Sequence, residues 1–260
     1  MMEQDNMKVL TKTFDILDQY LRGDEELAVT EISDKLGLNK ATVSRIMTRL
    51  EKRGYLQQIG VRGKYSLGTI FLEFSGIIKN RLKVREIAIP HLFELSRRVG
   101  ESTILGVWDG GGYSITESFH DTAQKGNPLK VIPDEGISMP LFCTCLGKIF
   151  LAGMSESDLQ AYLASVKLEP RTSRTITDAN QLTKELSQIR QEGLAYDDEE
   201  FALGVRGVAA GVFNNDSKTM GSIGVLAPSP RMSMARLQEI GPLVKDYALE
   251  ISRQLGYRKS

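Results

Sequence analysis

The chain has 260 residues, 41% apolar and 25% charged, and its 33 cations balance 33 acids. That balance suits a soluble globular protein with room for a small domain and a medium one, and it excludes a polyelectrolyte. The first residues are polar with no apolar stretch behind them, and no apolar run approaches the roughly 18 residues that span a bilayer, so a cytoplasmic chain without signal or anchor is expected.

The charge is not evenly spread. Between Lys35 and Leu67 there are eight cations and one acid, Glu51, a local charge of +7 in a chain of zero net charge. Such asymmetry suggests a nucleic-acid-binding part joined to a part of another function.

In chain order, residues 7–22 repeat Val9, Phe14, Ile16, Leu17, Tyr20 and Leu21 at helical spacing. After a break at 23–26, Thr30 is expected to cap a short helix that buries Ile32 and Leu36, and Gly37-Leu38 turns the chain. The next helix runs from its cap, Asn39, to Gly54 at a position that favours positive φ. Val43, Ile46, Met47 and Leu50 form its one apolar stripe, while Lys40, Thr42, Ser44, Arg45, Thr48, Arg49, Lys52 and Arg53 occupy the rest of its surface. A solvated amphipathic helix would look similar. The short helix and tight glycine turn before it, with small Ser33 where two helices must approach, make a helix-turn-helix, whose second helix presents donors and cations to the major groove. The DNA-facing set is therefore Thr30, Asn39, Lys40, Thr42, Ser44, Arg45, Thr48 and Arg49. Strand-like 55–59 and 64–67 then flank a Gly60–Gly63 turn, a wing that would carry Arg62 and Lys64 to a phosphate or the minor groove, or a hairpin that only closes the small core.

Residues 69–99 read as helix. Ile70, Phe71, Leu72, Phe74, Ile77 and Ile78 are too apolar for a solvated linker, and Pro90 suits the first turn of a new helix ending at Gly100. From Ser102 the period changes from 3.6 to 2: strands over 102–109 and 113–120 flank three glycines, and a looser segment follows over 121–138. Helices are expected from Thr144, from Ser155 and from Asp178 to Gly193, then two strands (RGVAAGVF and MGSIGVLAP) and a last helix from Ser233 to Gly256. Strands at both ends with helices between give an α+β domain with a largely antiparallel sheet. The expected division is residues 1–68 for the winged helix-turn-helix, 69–84 for a linker helix that also makes a dimer contact, and 85–260 for an effector-binding and oligomerisation domain.

Several long motifs in order resemble the IclR family of bacterial transcriptional regulators. They are TEISDKLGLNKATVSRIMTRLEKRGYL at the N-terminal end, LFCTCLGKIFLA over 141–152, RTITD over 174–178, IRQEGLAYDDEEFALGVRGVAAGVF over 189–213 and ISRQLGY over 251–257. The resemblance implies a GAF-like C-terminal domain binding a small effector. It also implies homodimers or homotetramers on palindromic double-stranded operators, and effectors that are often organic or aromatic acids. A repressor is the expectation, with activator versus repressor left open by the sequence.

The residues alone mark one anion site, the start of the helix at Thr144-Cys145-Leu146-Gly147, where free backbone N–H groups meet the positive end of a helix. By resemblance, the effector carboxylate meets the amides of Cys145 and Leu146, and Val131, Met139, Asp197, Val205, Gly207, Gly224 and Leu226 occupy the other pocket positions. Asp197 would accept from a ligand hydroxyl; an N-cap or surface carboxylate is the plainer reading of the residue. Family members that bind small keto acids carry a Cys and two Ser where this chain has Gly207, Gly224 and Leu226. The exchange implies a roomier, more apolar site for a ligand larger or more aromatic than pyruvate or glyoxylate.

Cys143 and Cys145, two apart, are expected to be free thiols, either inert and buried or, as an alternative function, redox-sensing. A vestigial sensor domain is the other alternative. Two histidines, His91 and His120, lie in no metal-ligand spacing, and no nucleophile elbow, P-loop or dinucleotide fingerprint occurs. Neither an enzyme nor a metal or other cofactor is expected.

Overall fold

The computed structural model describes residues 2–22, 25–60, 63–120 and 129–258, which divide into two compact units, residues 1–81 and 82–260. In the first, α1 (Met2–Asp18) is followed by a single 3-10 turn, β1 (Leu27–Ala28), α2 (Val29–Leu36), α3 (Lys40–Lys52), β2 (Leu56–Ile59), β3 (Lys64–Leu67) and α4 (Ile70–Arg81). The small sheet has the order β1-β3-β2, both pairings antiparallel. Its core is Ile16, Tyr20, Leu27, Ile32, Val43, Ile46, Met47, Leu50, Leu56 and Tyr65. The stripe read on α3 is thus the buried one. Of the apolar residues of α1 only Ile16 is among them, while Val9 and Phe14 stay exposed.

Two expected helix ends differ. Thr30 does not cap α2: the cap is Ala28, two residues earlier, and the start is closed from inside by Glu31, whose carboxylate accepts from the Ala28 amide at 2.6 Å. A Glu in the third helical position can satisfy the cap residue's own N–H, the half of a capping box that needs no hydroxyl. Pro90 does not begin a helix either. It lies within α5 (Lys83–Val99), and the break falls at Leu82 instead. Val84, Ala88, Leu92 and Leu95 are all buried along one stripe of α5, so packing continues the helix through a residue that lacks the amide for its own bond.

The second unit continues with β4 (Ser102–Trp108), β5 (Tyr113–Phe119), β6 (Ser138–Met139), α6 (Cys145–Ala152), α7 (Glu156–Ser165), α8 (Ala179–Glu192), β7 (Ala195–Asp198), β8 (Val205–Phe213), β9 (Thr219–Pro228) and α9 (Met234–Gln254). The sheet runs β6-β5-β4-β9-β8-β7, every pairing antiparallel, as the alternating patterns suggested. One core lies between the sheet and α5 and α9, and the other beneath α6 and α8. β8 shows how the strand serves both. Val208, Ala210 and Val212 face the first core, whereas Gly207, Ala209 and Gly211 turn toward α6 and let that helix approach closely. No helix among the described residues is long and apolar enough to cross a membrane.

Candidate DNA interface and effector cavity

In the first unit, Asn39 caps α3 through its side-chain oxygen, which accepts from the Ala41 amide at 2.8 Å, and the chain leaves through Gly54 at φ 78°. Ser33 donates to the Leu38 carbonyl at 2.6 Å, which fixes the turn between α2 and α3. With the apolar stripe buried, Lys40, Ser44, Arg45 and Arg49 are exposed, and Thr42 and Thr48 are half-buried beside them. Lys64 sits in β3 opposite Ala28 and Ile59. Arg62, the other expected wing residue, lies outside the described residues.

In the second unit, Thr144 caps α6. Its hydroxyl accepts from the Gly147 amide at 3.1 Å, donates to the Pro140 carbonyl at 2.8 Å and receives the buried Tyr113 hydroxyl at 3.0 Å. The Cys145 and Leu146 amides then have no intrahelical acceptor, because the first turn of a helix offers none. Gly147 permits this tight entry: a Cβ there would stand 2.4 Å from the Leu141 carbonyl oxygen.

The start of α6 borders a cavity of about 160 Å³ lined by Ile104, Tyr113, Ile115, Val131, Ile132, Pro133, Met139, Thr144, Cys145, Leu146, Asp197, Phe201, Ala202, Val205 and Leu226. Seven residues expected at an effector site therefore meet in one place: Val131, Met139, Cys145, Leu146, Asp197, Val205 and Leu226. Gly207 and Gly224 do not reach the wall. Asp197, Gly207 and Leu226 form one cross-strand row, and a Cβ on Gly207 would lie 2.5 Å from Leu226 Cδ2. A Cβ on Gly224 would lie 2.8 Å from Leu146 Cδ1. The space beside each glycine is taken by a leucine side chain, Leu226 at Gly207 and Leu146 at Gly224. An apolar cavity of about 150 Å³ accepts a benzene ring.

Asp197 is 4% exposed and accepts from the Glu200 amide at 2.8 Å. Burial pushes its carboxyl up to about 6, against the pull of that hydrogen bond and of Lys148. It is neither a surface acid nor a helix cap. Beneath it lies a charge cluster that sequence reading missed. Lys148 is wholly buried and donates to Glu200 at 2.5 Å, Glu185 at 2.6 Å and the Tyr196 carbonyl at 3.2 Å. Burial lowers the Lys148 pKa, but the two carboxylates more than offset it and hold the ammonium above its ordinary value. Burial raises Glu200 to about 7. The available signal was a single lysine inside an otherwise apolar helix, CLGKIFLA, since a cation in such a run must find partners elsewhere.

Both cysteines are free and buried. Burial pushes Cys143 up to about 12 and raises Cys145 as well, the reverse of the lowered pKa a sensing thiolate needs. Among the described residues no group of His, Cys, Asp and Glu is arranged to hold a metal ion.

A helix-turn-helix unit and a second unit of sheet and helices make the architecture of a DNA-binding transcriptional regulator. Residues 9–60 match the IclR helix-turn-helix domain and residues 78–253 match the family described as bacterial transcriptional regulator IclR C-terminal. The chain belongs to the IclR family of bacterial transcriptional regulators, which carry an N-terminal DNA-binding helix-turn-helix. It is 31% identical to the HTH-type transcriptional regulator XynR of Escherichia coli over 95% of this chain and 96% of that one. It superimposes on the crystal structure of an IclR transcriptional regulator from a Silicibacter species with a TM-score of 0.82 at 26% identity, over 97% of this chain and 98% of that one. The fold is shared, at a TM-score of 0.76 and 18% identity over 95% and 99% of the two chains, with an IclR homologue of Microbacterium hydrocarbonoxydans crystallised with 4-hydroxybenzoate.

Proposed function

We propose that the chain is a transcriptional repressor whose operator affinity is set by a single-ring aromatic monocarboxylic acid held in the cavity of the second unit. One observation carries this reading: the cavity is lined mainly by apolar side chains, with the start of α6 and the buried Asp197 both on its wall. A ligand carboxylate would meet the Cys145 and Leu146 amides, and a ring hydroxyl would donate to Asp197. The volume fits one ring, and the 4-hydroxybenzoate bound to the Microbacterium homologue has this chemistry.

The DNA face in this reading is α3. Thr42, Ser44, Arg45 and Thr48 point to base edges, and Lys40 and Arg49 to phosphates, with Asn39 and Thr30 at the helix starts and Lys64 on the wing. A palindromic operator then requires two heads. α4 has no buried residue, and Phe74, Ile77 and Ile78 are exposed on one side of it, an apolar face suited to a second copy of this chain. The linker role assigned to residues 69–84 follows from the same face.

The test is operator binding by the full chain with and without 4-hydroxybenzoate and benzoate. The reading requires saturable binding of an acid that shifts operator affinity, because a ligand with equal affinity for both states of the regulator shifts nothing. Operator binding unchanged by any such acid would leave a DNA-binding protein with a vestigial second unit.

A further inference from the structure

Behind the cavity lies a cluster of ionisable groups in which, among the described residues, carboxylates outnumber cations. Lys148 is shared by Glu185 and Glu200, and Asp197 lies beside them, accepting from the Glu200 amide. Three carboxylates thus face one ammonium. Glu200 Oε2 is buried and has no hydrogen-bond partner among the described residues. The surrounding elements do not make good the deficit. α6 contributes, besides Lys148, the buried thiol of Cys145, and β5 contributes the Tyr113 hydroxyl, which is committed to Thr144. β8 places Gly207 opposite Asp197. In the segment before α8, Thr172 and Thr175 donate to the main-chain carbonyls of Glu199 and Glu200, and the Arg171 guanidinium stands 5.0 Å over the Phe201 ring. Arg174 and Arg206 are taken by Asp198.

A ligand carboxylate at the α6 amides adds one more negative charge to this set, in a site where burial weakens screening. We propose that the effector binds together with a proton taken up by the Asp197–Glu200 pair, and that the same charge deficit rejects dicarboxylates. The inference rests on the effector reading above. Burial has already brought both carboxyls of the pair close to neutrality, and a ligand anion moves them further in the same direction. The affinity of a monocarboxylate should then fall as pH rises above neutrality, because linkage requires proton uptake to help binding.

The experiment is calorimetric titration of the full chain near neutral pH with 4-hydroxybenzoate, benzoate and terephthalate, a para-dicarboxylate of the same ring. Each is run in phosphate and in Tris, which differ in ionisation enthalpy. The expected result is a buffer-dependent enthalpy for the monocarboxylates corresponding to roughly one proton taken up per ligand. Terephthalate is expected to bind more weakly by about tenfold or more. Glu185→Gln removes one negative charge at a side chain outside the cavity wall, and Glu200→Gln removes the pair's second carboxyl; each should narrow the preference over terephthalate and reduce proton uptake. A buffer-independent enthalpy with saturating 4-hydroxybenzoate overturns the proton uptake. Equal affinity for terephthalate, or a preference unmoved by Glu185→Gln, overturns the charge argument. Failure of all three acids to bind overturns the effector reading itself and this inference with it, so the two failures are told apart by whether a monocarboxylate binds at all.

Discussion

Lys148 carries its charge in a helix that otherwise buries only apolar atoms, and its partners lie 37 and 52 residues away in the chain. Lys148→Met should lower stability by about 3–5 kcal/mol, because it leaves two carboxylates without their cation. Adding Glu185→Gln and Glu200→Gln should recover most of that loss, a non-additivity that thermal unfolding of the single and triple variants would read directly. Asp197 makes a separate prediction. Its folded carboxyl holds a proton to about 6 against a reference of 3.8. The folded state therefore binds more protons than the unfolded one across that interval, and stability declines as pH rises through it, with the penalty complete above. Asp197→Asn should flatten this part of the unfolding midpoint against pH curve while abolishing the preference for a hydroxylated ring. An unchanged curve would mean that Asp197 titrates normally in the folded chain.

The elements carry the sites in different ways. α3 is a local construction: cap, buried stripe and exit glycine all lie within Asn39–Gly54, and the donor-rich face is what remains. Arg45→Ala should weaken operator binding at least about tenfold and Arg49→Ala should reduce the salt slope by about one, both with effector affinity unchanged. Gel shift at several salt concentrations would check it; wild-type binding would mean that α3 is not the reading helix. The cavity is built across elements, by α6 laid on small residues of β8 and β9. Gly207→Val should drive Leu226 into the cavity, since the Cβ alone would stand 2.5 Å from Leu226 Cδ2. Ligand binding is then expected to vanish while operator binding persists, as calorimetry and gel shift on the same preparation would show.

At the scale of the molecule, the proposed function gives each unit its own duty. Ligand at 100 times its dissociation constant should stabilise the unit over residues 82–260 by about 2.7 kcal/mol and raise its unfolding midpoint by roughly 2–4 °C. Operator DNA should act on the unit over residues 1–81, and scanning calorimetry with each partner would assign the transitions. The sequence by itself determined what local periodicity and capping chemistry determine: the helix-turn-helix, the α6 start at Thr144, the antiparallel strands, and the family through its long motifs. Tertiary structure decided what depends on distant partners. It carried α5 through Pro90, because an apolar stripe against the sheet outweighs one missing amide. It closed α2 with Glu31 in place of Thr30. It set the Leu226 and Leu146 side chains beside the glycine positions 207 and 224. And it joined Lys148 to Glu185 and Glu200, because a buried charge is stable only where the fold brings its counter-charges to it.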